Sequence, residues 1–372
     1  MATRMFGLFM IFPVFSVYAS QYQSTTPFLI GLAIGIYGLT QALLQIPFGY
    51  FSDQIGRKPM LIIGLIIFFI GSVVAANSTD IIGVIIGRAL QGSGAISAVL
   101  MAFLADFVAP ERRAKANAFV GLQIGLAFML SLLIGPLITV NFGISGLFLL
   151  IAGLSILALI IVISLPSVKP KSQYSLSFSN LKQVLEMRLV RFNFGIFALH
   201  LILTCAFIVL PILLVQNHIV ALDLNDNWKV YLPVMLISFV GMLPIILLAE
   251  KYQKHKIMLL FSITILLLSQ ILFYYTKLNF ASFLTLLAIF FIAFNALEAM
   301  LPSLVAKTAN ASKRGLAMGI YSTSQFLGTF IGGIFGGWIY HTYGINRVFL
   351  FTAFIASIWW LIVASGQQKT GE

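Results

Sequence analysis

Apolar runs of about twenty residues recur along the chain, and charges, prolines and glycines collect in the short segments between them. MLIIGLIIFFIGSVV, residues 60–74, is such a run, without one charged side chain. About twenty apolar residues is the length that crosses a bilayer core as helix. Hydrocarbon offers the backbone no partner, so each run must satisfy its own N–H and C=O groups as a helix. The alternative, a closed barrel, needs ~10-residue strands of alternating polarity, and that pattern does not occur. The spacing predicts twelve helices at about 4–20, 28–51, 60–77, 81–105, 115–138, 144–165, 190–215, 229–249, 257–275, 280–304, 314–340 and 345–364. The expected fold is an all-α integral membrane protein.

Composition agrees. With 60% apolar and 9% charged residues over 372 positions, no charged skin for a soluble globule can be made. A net charge of +12 could suggest nucleic acid as partner, but the basic residues sit in clusters between apolar runs, so that partner is not expected. Cys205 is the sole cysteine, which excludes internal disulfides and a zinc cluster. No Walker A pattern, phosphate-cradling loop or catalytic-triad spacing is present. The expectation is no enzyme, no catalytic residue, no metal and no cofactor, with an ion gradient as the energy source.

The loops orient the spans. Of 22 Lys and Arg, all but Lys229, Lys277, Arg347 and the intramembrane Arg88 fall at the termini or after even-numbered spans, which makes 18. The positive-inside rule then places both termini in the cytoplasm. The longest loop divides the chain into a six-helix bundle at 1–166, an inter-bundle loop at 167–189, a second bundle at 190–366 and a tail at 367–372. No soluble domain is visible at either end. The first span, Met5 to Ala19, is short and resembles a signal peptide. Removing it would leave eleven spans and unbalance the repeat described next. A start site chosen too late is the preferred reading, and it puts Arg4 inside the membrane.

The halves repeat. Pro13 matches Pro211 at an offset of 198, and Pro47, Asp53 and Arg57 match Pro244, Glu250 and Lys254 at 197. Asp106, Arg113, Ala116, Gly135 and Gly143 match Lys307, Arg314, Ala317, Gly336 and Gly344 at 201. Parallel repeats of this kind build secondary transporters, with the substrate site near the midplane between the halves. The expected architecture is two six-helix bundles about a pseudo-twofold axis. Glycines at GxxxG spacing, Gly31/Gly35, Gly328/Gly332 and Gly333/Gly337, suit close helix contacts.

GYFSDQIGRKP, residues 49–59, resembles the signature of the major facilitator superfamily between its second and third helices. Gly49, Asp53, Gly56, Arg57 and Lys58 match, while Phe51 and Gln54 depart from it. RALQGSGA in span four, with Arg88, Gln91 and Gly92, is a second likeness. Gly135-Pro136 in span five is similar to the family's antiporter motif, although Ser131, Thr139 and Val140 replace its other glycines. The resemblance covers the whole chain and points to the drug:proton antiporter branch. It implies that Asp53 latches to the start of span eleven near SKRGLAMG, a helix N-terminus able to meet a carboxylate. It also implies that Arg57 pairs with Asp106, with Arg113 beside them as a further latch partner, and that Arg88 serves proton coupling.

Two more titratable side chains lie in mid-span: Glu298 in FNALEAMLPS and His200 in FALHLIL. An ionisable group inside a membrane is a functional candidate by default. Glu298 is the expected proton carrier and His200 the second candidate. The plainer alternatives are a Glu298 hydrogen-bonded to Asn295 and a packing histidine. The functional expectation is a monomeric transporter of the bacterial inner membrane, bathed in membrane lipid, that exports small, amphiphilic or drug-like organic molecules in exchange for protons. The alternative is a proton symporter or facilitator importing a metabolite. A membrane sensor or enzyme on this scaffold is a third class, but a signalling domain and a nucleophile or metal cluster are both missing from the pattern.

Overall fold

The computed structural model describes residues 2–109, 112–166, 186–215, 226–310 and 314–366; at 113–115 and 117–118 it describes the backbone alone. The helices are α1 (Ala2–Phe9), α2 (Phe15–Tyr18), α3 (Pro27–Ile55), α4 (Arg57–Asn77), α5 (Ile81–Ser93), α6 (Ser97–Phe107) and α7 (Arg113–Ser164). They continue as α8 (Met187–Val215), α9 (Trp228–Lys251), α10 (His255–Tyr275), α11 (Phe280–Thr308), α12 (Arg314–Tyr343) and α13 (Ile345–Ala364). Among the described residues there is no strand, only an isolated bridge between Gln23 and Asp80.

Among the described residues, nine helical segments are long and apolar enough to cross a membrane. One of them, within α7, is two spans joined at Gly143, whose φ of 70° breaks the helix. The glycine-rich α12 and the segmented stretch from α1 to α2 complete twelve spans and the all-α fold. Large apolar side chains such as Leu43, Ile46, Ile66, Ile70, Leu243 and Leu247 face outward and exposed. Water would penalise that belt, and hydrocarbon does not.

Predicted and observed spans differ in three places. Span one is broken, because Pro13 lacks an N–H and the chain turns between Phe9 and Phe15. Span four is also broken. Gly94 lies against Gly64, where a Cβ could not fit, and the helix stops at Ser93 and restarts at Ser97. Spans five and six instead run on with a single non-helical residue, Gly143. Its repeat mate Gly344 has φ 85° at the join of α12 and α13. A side chain at either position would meet the Cβ–carbonyl clash that keeps L-residues out of the left-handed region, so the matched glycines mark matched turns.

The chain separates into two compact units. One holds the helices up to Ser164, the other Met187–Val215 and the helices from Lys229 onward. In the first, α4 packs on α5 and α7, and α1 lies along α7. Gly71 and Gly87 bring α4 and α5 together so closely that a Cβ on Gly71 would sit 2.6 Å from the Gly87 oxygen. In the second, α12 packs along α8, which is buried over nearly its whole length. The stripe in contact is Gly328, Gly332 and Gly336, and a Cβ on Gly332 would lie 2.5 Å from the Leu201 oxygen. Cys205 donates its thiol to the Gly332 oxygen at 3.2 Å from across that seam. Of the inter-bundle loop expected at 167–189, residues 167–185 fall outside the described residues and 187–189 already belong to α8. The tail at 367–372 also falls outside.

Candidate functional site

At the join of spans two and three, α3 ends at Ile55 and α4 begins at Arg57, with Gly56 between them at φ 102°. That turn folds Arg57 back under its own helix end. The guanidinium is buried and forms an ion pair with Asp53, donates from Nη1 to Ser52 Oγ at 2.7 Å, and from Nε to Asp106 Oδ2 at 3.3 Å. One arginine thus ties α3 to the end of α6. Lys58 turns the other way and donates to the Ile163 and Leu165 carbonyls, both at 2.7 Å, at the end of α7. A cation there satisfies carbonyls that have no helical partner and meets the negative end of the dipole. Gly49 is half-buried, with open space where a Cβ would stand. Asp53's expected partner, the start of span eleven, lies partly at 311–313, outside the described residues, and only the backbone of Arg113 is described.

The second unit carries a related but rewired arrangement. Lys256 donates to the Ala364 and Gly366 carbonyls at 3.0 and 2.6 Å, capping α13 as Lys58 caps α7. The matched residues are 198 and 201 positions apart, and this pair was not recognised in the sequence because the flanking motif has diverged. Where the first unit has Asp106, the second has Lys307, which reaches Glu250 directly at 2.7 Å. The turn survives without its glycine: Gln253, the counterpart of Gly56, holds φ 52°.

Inside the first unit, two arginines approach one tyrosine. Arg4 donates from Nη1 to Ser97 Oγ at 2.7 Å and from Nη2 to Tyr37 Oη at 2.7 Å, and also hydrogen-bonds to Gln41 Oε1. Arg88 donates from Nη1 to Gln91 Oε1 at 2.8 Å and from Nε to the Ala33 carbonyl at 3.3 Å. Their guanidinium carbons stand 5.9 and 5.0 Å from the Tyr37 ring centroid. Only 3% of Arg4 and 1% of Arg88 is exposed. Residues 33, 37, 41 and 45 follow one face of α3 at helical spacing, so one helix supplies the polar track. Arg4, read from the sequence only as lying within the membrane, turns out to be surrounded by partners 33 to 93 residues away.

Inside the second unit, three helices converge. Gln325 on α12 donates its amide to Nε2 of His200 on α8 at 2.7 Å, and its nitrogen is 3.5 Å from Oε1 of Glu298 on α11. An acceptor at Nε2 places the imidazole proton on Nδ1, a tautomer assigned from the network. Nδ1 faces the Ile196 carbonyl at 3.3 Å and Glu298 Oε2 at 3.9 Å. Glu298 keeps 36% of its side chain exposed, whereas His200 is buried. Asn295 does not bond Glu298; it donates to Ser238 Oγ at 2.9 Å. The glutamate's neighbour is therefore Gln325, to which the sequence pattern assigns no role.

Gly135 lies where a Cβ would come 2.6 Å from the Met10 oxygen, against the break in span one. Pro136 follows within the helix. Ser131, in place of a motif glycine, donates to the Phe6 carbonyl at 2.8 Å, and Thr139 to the Gly135 carbonyl at 2.8 Å. This segment is a close-packed seam between α7 and span one. Among the described residues no cluster of His, Cys, Asp or Glu could hold a metal ion.

Twelve apolar spans in repeated halves, with isolated ionisable groups in the interior of each, define a secondary transporter and not an enzyme. The chain belongs to the Major Facilitator Superfamily, whose family model matches residues 1–309 and 193–369. It is 43% identical over 371 residues to the inner membrane transport protein YajR of Escherichia coli, a match covering 98% of this chain and 81% of that protein. A more distant relative is the multidrug resistance protein MdtH of Blochmanniella floridana, 24% identical over 90% of this chain and 83% of that one. Among solved structures, a bacterial homologue of the human lysosomal transporter Spinster superposes with a TM-score of 0.78 at 13% identity, covering 98% and 93% of the two chains. That likeness concerns the fold.

Proposed function

We propose that this transporter exports small organic molecules from the cell in exchange for protons, by alternating access, in the bacterial inner membrane and with both termini in the cytoplasm. The observation that carries the reading is the Glu298–Gln325–His200 cluster. An exchanger needs a titratable group in the membrane interior whose protonation is coupled to the transport cycle, and a partly exposed carboxylate joined to a buried imidazole offers it. In this scheme Glu298 takes the proton from one side and releases it to the other, while His200 and Gln325 hold its orientation. Arg88 has only neutral partners and acts as a fixed cation rather than as a proton donor. The Asp53–Arg57–Asp106 group is the gating element of the first unit. The names of the two relatives, an inner membrane transport protein and a multidrug resistance protein, support localisation and export.

Purified protein in liposomes, loaded with a fluorescent organic substrate under an imposed pH gradient, tests this. Flux against the proton gradient is expected, and Glu298→Gln is expected to uncouple it. Flux that ignores the gradient sinks the exchanger. Flux that runs in the same direction as the protons makes the protein a symporter.

A further inference from the structure

The first unit buries two cations and gives neither a counter-charge. Among the described residues no carboxylate lies within ion-pairing distance of Arg4 or Arg88; the ion pairs of this unit belong to Arg57. Every acceptor they do have is neutral: a serine, a tyrosine, two glutamines and a backbone carbonyl. Arg4 Nε is fully buried and has no acceptor at all. Two guanidinium groups within 6 Å of one ring centroid repel each other, and a buried cation without a counter-charge carries a large desolvation cost.

The break in span four adds to the same positive field. α6 starts at Ser97 with no side-chain cap, so the unpaired N–H groups and the positive dipole end of an 11-residue helix emerge in mid-span. Ser97, its first residue, is the one that receives Arg4. Half-helices that begin inside a membrane place their N-termini toward anionic groups of a substrate. A purely structural tie would need none of this, because an uncharged residue could bond Ser97 and Gln41 more cheaply.

We propose that Arg4, Arg88 and the start of α6 form an anion site inside the first unit, and that it receives the carboxylate of an organic-anion cargo. Arg4 presents its free Nε beside Nη groups that can leave the neutral acceptors, so the carboxylate is held by two parallel N–H donors. Ser97, Tyr37 and Gln41 turn their own donors to the second oxygen. Phe68, whose ring centroid is 5.9 Å from the Arg4 guanidinium carbon, supplies an apolar wall for the body of the molecule. The site itself stands on the geometry of the first unit. That its ligand is the cargo rests on the transport reading above.

The test is binding, measured apart from flux. Full-length protein in detergent is unfolded thermally with benzoate, with its neutral isostere benzamide and with inorganic phosphate. Benzoate is expected to raise the midpoint saturably and benzamide to leave it unchanged. Arg4→Gln is expected to weaken benzoate about tenfold or more, with Arg4→Lys in between. Should Arg4→Gln fail to fold, Ser97→Ala removes one contact without removing charge, and a several-fold loss is expected. Equal shifts by benzoate and benzamide, or a Ser97→Ala and an Arg4→Gln protein with unchanged affinity, overturn the site. Binding of inorganic phosphate but not benzoate overturns the organic anion as ligand. Benzoate binding without any gradient-driven flux leaves the site standing and removes the exporter reading. Gradient-driven flux of a cationic dye without anion binding does the reverse.

Discussion

Gln325 stands 2.7 Å from Nε2 of His200 and so connects α12 to α8, while the same amide nitrogen lies 3.5 Å from Glu298 on α11. A neutral side chain thus joins the two ionisable groups of the second unit. Gln325→Leu keeps the volume roughly and deletes the link. Proton-driven flux is expected to fall at least about tenfold, or roughly 1.4 kcal/mol in barrier, with gradient-independent binding of cargo retained. Proteoliposome flux with and without a pH gradient measures it, and an unchanged ratio between the two refutes the link.

Arg57 holds two carboxylates that are only 14% and 11% exposed. Arg57→Leu leaves both without a cation, and breaking such a buried pair costs about 3–5 kcal/mol. A marked drop in unfolding midpoint is expected. Arg57→Lys should recover only part of it, because an ammonium cannot present the fork that meets Ser52, Asp53 and Asp106 together. Full recovery would show that charge alone is enough.

Gly56 and Gln253 occupy matched turns with φ of 102° and 52°. Gln253→Gly removes the left-handed strain and is expected to stabilise the protein by about 1 kcal/mol. The loss of its exposed hydrogen bonds to Glu250 and His255 takes little from that gain. Gly56→Ala is expected to destabilise by at least a similar amount. Differential scanning fluorimetry of both variants decides the signs.

Gly332 faces the backbone of Leu201 with no room for a methyl group. Gly332→Leu should force α12 off α8 and abolish a monodisperse fold. Gly319, where a Cβ meets nothing within 4 Å, is the control, and Gly319→Ala is expected to purify normally. Equal behaviour of the two would mean that the α8–α12 seam is not needed.

Most spans, and the twofold repetition, were legible in the chain because each span answers to a local rule. About twenty apolar residues form a helix in hydrocarbon whatever their neighbours. The matched glycines at 143 and 344 and the acid-then-base spacing at 53 and 57 are local as well, so they could be aligned by offset alone. The tertiary structure decided which polar groups meet. Arg4 finds Tyr37, Gln41 and Ser97 on two other helices, and Glu298 finds Gln325 and His200 rather than the nearby Asn295. It also decided where a helix stops, since Gly94 breaks span four against Gly64 while Pro136 leaves α7 continuous. Apolar helices have many faces of nearly equal hydropathy, so pattern alone does not say which turns inward. Small-residue seams and a few buried hydrogen bonds make that choice, and they depend on partners far away in the chain.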